Sequence, residues 1–586
     1  MQELDLRHNF QMHSRKLRLL HDGRLLLLVA IVVSGVFIGA ASVRAQESPP
    51  PDRLFTDRVR VDVVDVEVFV TDGKGRPVYG LDRSDFEILV DGRPVEISNF
   101  RPPSAPADRP VGQEPAAVPG VEPAPPRYLA VFVDQTNLRP DRRAVIMDSL
   151  RGFLDQRSAQ GDRVMVAAYD SRVEVLSGFG DDAAALDRAL EAVDATAPST
   201  FETQAEFNRI LRCLEVTCQD PELIWDEVRI YARFLRHRNR IMLAHLGSFI
   251  DSMAALPGRR SVLLVSDGIA VRPGESLFAA YQQRYTAVEH YGPIQYRFEA
   301  NNFSLTGDIR ELTDLANERR VTIYSLNGGG VVGNPLAMQS VAVSATQMVD
   351  IQIDFIRDSN YSGSLERVAA ATGGEVIFKP TDETLDGLGR DLDGGYSLGF
   401  NPGHEPDDQT RSIKVKVLGK GFKVRHRENY RLATDEGKAS ELTRLALITA
   451  EGQNPLGISV EFAPNAERKG RKYVVAAAIH IPLAPLTLVP VGGDRVHGDL
   501  EITFLLEDED GRSTPIQKGA LPLDLPAEAA DAAGPAHITY DVGFMVRTGD
   551  DQRLALTVTD TLGGQSSTLT WTLGIAKDGS LTVTDR

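Results

Sequence analysis

The chain has 586 residues, too many for a single hydrophobic core, so roughly three or four domains are expected. Its composition, 42% hydrophobic and 25% charged, is that of an ordinary globular protein. A formal net charge of −18 excludes a general nucleic-acid binder, because neutralising phosphates takes clustered Lys and Arg.

Arg15, Lys16, Arg18 and Arg24 precede an apolar run from Leu25 to Ala41, and Val43-Arg44-Ala45 comes next with small residues at its two ends. That layout is a secretory signal with cleavage expected after Ala45. The apolar run of 17 residues is long for a cleaved signal, which leaves an uncleaved inner-membrane anchor as the alternative. Residues 1–45 are thus a signal peptide or anchor. Either way the remaining chain is exported: periplasmic, secreted or envelope-anchored.

Residues 46–57 read as a flexible segment. From Arg58 to Arg101 apolar residues alternate, and Asp72-Gly73 and Asp91-Gly92 supply turns, as expected of a small antiparallel β domain. Residues 102–127 are rich in Pro and Ala and form a linker. At Tyr128–Val133 the rhythm changes to a continuous apolar run, the pattern of a strand buried on both faces. Helix signals begin at Pro140 and recur over Ala183–Val193. Strands are expected at Asp162–Tyr169, Val173–Leu176, Ser261–Val265, Val321–Leu326 and Glu375–Phe378, with helices near Ile309–Glu318 and Leu365–Ala371. Strands alternating with helices specify a mostly parallel sheet covered on both sides. The α/β domain is expected over 128–431, with insertions at 201–256 (mostly helical), 271–305 and 328–360 and with closing β strands after Gly395. A connector at 432–456 leads to a β-sandwich over 457–586.

In an open α/β sheet, ligands bind beyond the carboxyl ends of the strands. Asp134-Gln135-Thr136-Asn137-Leu138 comes directly after the first buried strand, Ser266-Asp267-Gly268 after SVLLV, and Ser199-Thr200-Phe201-Glu202-Thr203 lies in the loop expected between them. Carboxylates and hydroxyls converging on one edge suit a hard divalent cation. Here the chain resembles the von Willebrand factor type A (VWA) domain, a Rossmann-like fold that holds a metal through D-x-S-x-S, a Thr from a second loop and a later Asp. The resemblance puts Asp134, Thr136 and Asp267 among the metal residues, with Thr200 or Thr203 as the loop Thr, and implies Mg2+ or Ca2+ completed by a partner carboxylate. Leu138 stands where the second Ser belongs and cannot coordinate, so the expected adhesion site is degenerate. The segments VDVEVFVTDGKGRPVYGLDRSDFEILVDGRPVEISNF, GGYSLGFNP and RSIKVKVLGKGFKVRHRENY resemble a bacterial, acidobacterial-type VWA-related family over residues 58–431. The competing structural role for Asp134, Thr136 and Asp267 is capping and turn hydrogen bonding at strand ends.

Other motifs carry less. Gly395-Tyr396-Ser397-Leu398-Gly399 matches G-x-S-x-G, but a nucleophile elbow needs a helix directly after the Ser, and here a strand-like run meets Asn401-Pro402-Gly403. Asn327–Asn334 is Gly-rich without the Lys-Ser/Thr of a phosphate loop. Arg233–Arg240 (RFLRHRNR) reads as the solvated face of a long helix, and His237 and His245 as surface or core residues. Cys213 and Cys218 favour a local disulfide, provided a turn separates them. No catalytic constellation stands out, and the expected role is protein–protein or cell-envelope recognition, without nucleic acid, the insertions choosing the partner. The rival classes are a structural envelope protein without metal and a hydrolase whose site is not visible in the motifs.

Overall fold

The computed structural model describes residues 18–20, 63–103, 126–196, 200–216, 220–285, 296–328, 345–449, 452–470, 472–491, 495–508, 513–526 and 536–585. The signal or anchor segment apart from 18–20, the flexible segment, most of the linker, Cys218 and most of the Gly-rich loop lie outside these residues, and so does the expected disulfide. No helix among the described residues is long and apolar enough to cross a membrane. The chain divides into two compact units, one built mainly from Val64–Glu451 and one from Gly452–Glu509 and Gln517–Arg586.

The first unit holds the mixed α/β architecture expected from the strand and helix rhythm. Its sheet strands are β1 (Arg127–Asp134), β2 (Arg163–Asp170), β3 (Arg172–Gly180), β4 (Arg259–Val265), β5 (Val321–Asn327) and β6 (Val376–Phe378). Among the described residues they make a six-stranded sheet in the order β6-β5-β4-β1-β2-β3, parallel throughout except for the antiparallel β2–β3 hairpin at one edge. The helices are α1 (Pro140–Ala159), α2 (Ala183–Ala195), α3 (Thr200–Val216), α4 (Pro221–Ser252), α5 (Glu275–Tyr285), α6 (Tyr296–Asn301), α7 (Thr306–Glu318), α8 (Ala345–Thr372) and α9 (Asp382–Asp393).

The apolar run that announces β1 is explained by its two faces. Leu129, Val131 and Val133 pack with buried residues of α1, α2 and α9, whereas Ala130 and Phe132 pack with those of α4, α7 and α8. Successive side chains of a strand point to opposite faces, so a strand between two helical layers needs apolar residues at every position. α9 carries no strong sequence signal because Gly387 and Gly389 interrupt it. It forms through a capping box at Thr381 and an apolar stripe of Leu385, Leu388 and Leu392.

Two expectations change. The segment read as a self-contained N-terminal β domain shares its sheets with strands from beyond the α/β domain. Tyr396–Phe400 lies between Val64–Thr71 and Ile97–Arg101, and Thr410–Val417 pairs with Phe86–Val90. One core, including Val66, Val68, Ile88, Leu398, Phe400 and Val415, joins both halves. The α/β domain is therefore inserted into a β module, and strands read as its closing piece belong to the host. The reason is pairing: Val64–Thr71 and Ile97–Arg101 are joined through Tyr396–Phe400, and Phe86–Val90 gains its second neighbour in Thr410–Val417, so each sheet is built from both halves. The stretch expected to be mostly helical at 201–256 is so, and what changes is its packing: with the helices Glu275–Tyr285 and Tyr296–Asn301 it builds a core of its own, in which Phe207, Ile210, Val228 and Tyr231 meet Leu277, Phe278 and Tyr281.

In the second unit, two antiparallel sheets share a core that includes Val475, Ile479, Ile502, Phe504, Phe544, Leu556 and Trp571. Gln517–Pro526 escapes sequence reading because prolines punctuate it. Among the described residues it pairs with Arg495–Glu507 alone, at an edge, where a missing N–H is tolerated.

Candidate functional site

The sheet order reverses between β1 and β4, since the chain runs outward through β2 and β3 before returning to the other side of β1. Val133 and Val265 are neighbours in register, so the residues just after them leave the sheet side by side. This is the switch point at which open α/β sheets form a crevice.

Asp134 ends β1 and is fully buried. Its Oδ1 accepts from the backbone N–H groups of Thr136 (3.1 Å) and Asn137 (3.2 Å) and from the Thr136 hydroxyl (2.6 Å). Its Oδ2 accepts from Asn137 Nδ2 (2.8 Å) and the Ser266 hydroxyl (3.0 Å). Burial pushes this acid upward, and the Thr136, Asn137 and Ser266 donors and the nearby Arg238 charge oppose the shift. Five donors leave no place for a proton on the carboxyl, which favours the ionised form.

Asp267 lies beside it, after β4. Its Oδ2 accepts from the N–H of Arg139 at the start of α1, and its Oδ1 accepts from Arg142 Nη1, both at 2.9 Å. Gly268 comes next at φ +103, and a Cβ there would stand 2.2 Å from the Tyr361 carbonyl oxygen of α8. The Ser-Asp-Gly turn thus needs glycine for both its conformation and its close approach.

The sequence-selected residues meet unequally. Asp134, Thr136 and Asp267 share the rim. Thr203 sits on α3, and its hydroxyl accepts from Arg238 Nη1, while Arg238 Nη2 donates to the Thr136 carbonyl oxygen. The side chain of Thr200 lies outside the described residues. Leu138 is 1% exposed and packs in the core beneath α1. Asn137 acts as a donor to Asp134 rather than as a ligand.

As arranged, this donor set does not suit a divalent cation. A metal needs lone pairs, and those of Asp134 are taken by five donors while Asp267 faces a guanidinium. A second guanidinium, Arg238, already occupies the oxygens of Thr136 and Thr203.

Arg238 is the residue that sequence reading missed. It belongs to the basic run whose pattern reads as a solvated face, and Arg240 does pair outward with Asp308. Arg238 turns inward. Tyr231, Leu235, Arg238 and Met242 are spaced three or four apart, on the stripe by which α4 is buried, and that register was the available signal. Among the described residues, Arg238 has no carboxylate within ion-pairing distance.

Around it lies a cavity of about 190 Å3, roofed by the α3–α5 helices and walled by α8, with Arg142, Arg238, Arg357, Phe207, Tyr231 and Tyr361 among its lining. The carboxylates in the wall each have a cation: Asp267 with Arg142, Glu275 with Arg272 at 2.9 Å, and Asp358 with Arg357 at 3.7 Å. Arg238 faces the cavity with hydrogen bonds to neutral oxygens, and the nearby Asp134 carboxylate is turned to other donors. Ser397, from the G-x-S-x-G match, is elsewhere, in the middle of a sheet between Glu67 and Arg101.

Together these features define a Rossmann-like α/β domain with an antiparallel edge strand and a polar, roofed crevice at its switch point, accompanied by antiparallel β sheets. No family model matches the chain, and no curated protein does. Among solved structures it is similar to the conserved hypothetical protein BatB from Bacteroides thetaiotaomicron, at 10% identity over 45% of this chain and 96% of that one, with a TM-score of 0.21. An aerotolerance-related membrane protein from Bacteroides fragilis aligns at 10% identity over 45% of this chain and 98% of that one, TM-score 0.23. Three N-terminal domains of the pilus tip protein Mfa5 from Porphyromonas gingivalis align at 11% identity over 75% of this chain and 70% of that one, TM-score 0.23. At such scores none of them bears on what this chain does.

Proposed function

We propose that this chain is an exported, VWA-related recognition protein that binds a protein partner at the roofed crevice, taking an acidic side chain of that partner onto Arg238. The observation that carries the reading is a half-buried guanidinium facing a cavity, with no carboxylate within ion-pairing distance among the described residues, at the place where α/β sheets gather ligands. Aromatic and arginine side chains around it are the residue types that dominate recognition hot spots. In this reading a fixed guanidinium serves where a metal ion would otherwise bridge protein and partner.

The test is fluorescence polarisation with a panel of short peptides that carry Asp or Glu, set against their Asn and Gln counterparts. Acidic peptides are expected to bind, with affinity unchanged by EDTA and lowered about tenfold or more in Arg238→Gln, the loss of one charge-assisted contact. Equal binding of the neutral peptides, or full affinity in Arg238→Gln, overturns the reading. Export is tested separately by fractionating cells that express the whole chain, and a purely cytoplasmic product would refute it.

A further inference from the structure

A second cleft lies at the opposite end of the central sheet. It opens between the starts of β4 and β5 and the strand Val64–Thr71 of the host β module, with a volume of roughly 470 Å3. Five arginines line it, Arg101, Arg259, Arg260, Arg320 and Arg427, against two carboxylates, Asp65 and Glu67. In a chain with a formal charge of −18 such an excess is out of keeping with the rest of the surface.

The five are not equivalent. Arg259 is neutralised: it pairs with Glu67 at 2.7 Å and donates to the carbonyl oxygens of Leu392 and Asp391. Arg101, Arg260, Arg320 and Arg427 have no carboxylate within ion-pairing distance among the described residues. Two of these four are deeply set, Arg260 at 8% exposed and Arg427 at 9%.

Their hydrogen bonds go to neutral oxygens. Arg427 Nη2 donates to the Asp65 carbonyl oxygen at 2.7 Å, and Arg260 Nη1 donates to the Ala254 carbonyl oxygen. Arg260 Nε is buried and has no hydrogen-bond partner. Carbonyl groups satisfy donors, but they leave the net charge in place. Burial, aggravated by Arg320, pushes Arg260 down to about 10, and burial with Arg320 and Arg260 pushes Arg427 down to about 9. A guanidinium gives up its proton reluctantly, so the strain of three neighbouring cations is relieved better by an anion than by deprotonation.

We propose that this cleft binds a multiply charged oxyanion of the phosphate class, held by Arg260, Arg320 and Arg427, with Arg101 at the mouth. Planar guanidinium groups match phosphate oxygens two at a time, and the Thr322 and Ser397 side chains in the same lining are of a type that can add neutral donors. The site would place the ligand between the inserted α/β domain and its host module. It is independent of the crevice around Arg238.

The experiment is thermal unfolding of the full chain in inorganic phosphate, compared with chloride at equal ionic strength. A saturable rise of about 3 °C or more is expected in phosphate, as for any ligand that binds only the folded state. The side chains of Arg101 and Arg320 are exposed, so Arg101→Gln and Arg320→Gln should fold normally. In the double variant the phosphate rise should vanish, while Arg238→Gln should keep it. A second arm with glycerol 3-phosphate separates sources: a larger rise than with phosphate assigns an esterified ligand, an equal or smaller one the free ion. No phosphate-specific rise, or a rise that survives in the double variant, overturns the proposal. A rise lost in Arg238→Gln but kept in the double variant overturns it equally, by moving the anion to the other crevice.

Discussion

The two ends of one sheet treat charge in opposite ways. At the carboxyl end a fully buried acid, Asp134, is met by five neutral hydrogen-bond donors, with an arginine close by. At the amino end, beside β1 and β2, Asp162 is as deeply buried at 1% exposed, yet it is met by two guanidinium groups, from Arg127 and from Arg157. One acid is solvated by dipoles and the other by full charges. The difference teaches where each end can respond: dipoles hold a charge without fixing its neighbours, whereas a closed ion network locks helix and strand together.

Removing each acid should expose that difference. The largest effect is expected at Asp162. Asp162→Ala leaves Arg157, whose side chain is 2% exposed, with only Asp393 as an ionic partner, and should cost about 3–5 kcal/mol, read as a lowered urea midpoint. Gly268→Ala should cost about 2–3 kcal/mol at the carboxyl end, because the new Cβ meets Tyr361 and the φ is unfavourable. If instead Gly268→Ala proved neutral, the rim would be softer than its contacts with α8 indicate.

Asp134→Asn should be milder, at about 1–2 kcal/mol, since an amide keeps one acceptor oxygen for the Thr136 and Asn137 donors while its NH2 opposes the Ser266 hydroxyl or Asn137. Millimolar Mg2+ should shift neither wild type nor this variant in calorimetric titration. Heat seen with wild type alone would restore the metal that the VWA resemblance implies.

The smallest effect concerns pH. His426, in the host β module, accepts from the Val415 N–H at Nε2 (3.1 Å) and meets the Arg427 carbonyl oxygen at Nδ1 (2.7 Å), which specifies the neutral ring protonated at Nδ1. Burial holds it below its ordinary value of 6.5, with Arg427 and Lys414 adding to that and the Arg427 carbonyl and Glu428 opposing. The unfolded chain therefore takes up a proton first as pH falls, so stability is full above about pH 6.5 and declines below it. His426→Gln should flatten that part of the profile, and an unchanged slope would assign it to other groups.

Much of the fold was legible because strands buried on two faces and helices buried on one leave different periods, as Tyr128–Val133 and Ala183–Val193 show. That Asp134 and Asp267 follow buried strands was legible for the same reason, and those strands prove to be neighbours in register. What escaped was whatever depends on distance along the chain. Nothing local in Val64–Thr71 tells that its partner strand begins at Tyr396, and nothing in a run of basic residues tells which one turns inward until the helix has a register. The roof over the crevice was hidden likewise, because α5 looks polar until α3 and α4 are placed against it.

The insertion of one domain inside another also sets an order of events during synthesis. Strand Val64–Thr71 leaves the ribosome long before Tyr396–Phe400, so Glu67 must wait for Ser397, and Ile88 for Val415. Until then the early strands present open edges, and the α/β domain between them has to be made before the host can close. In a newborn chain, pairing of the early strands with their distant partners comes only after the residues between them have been made.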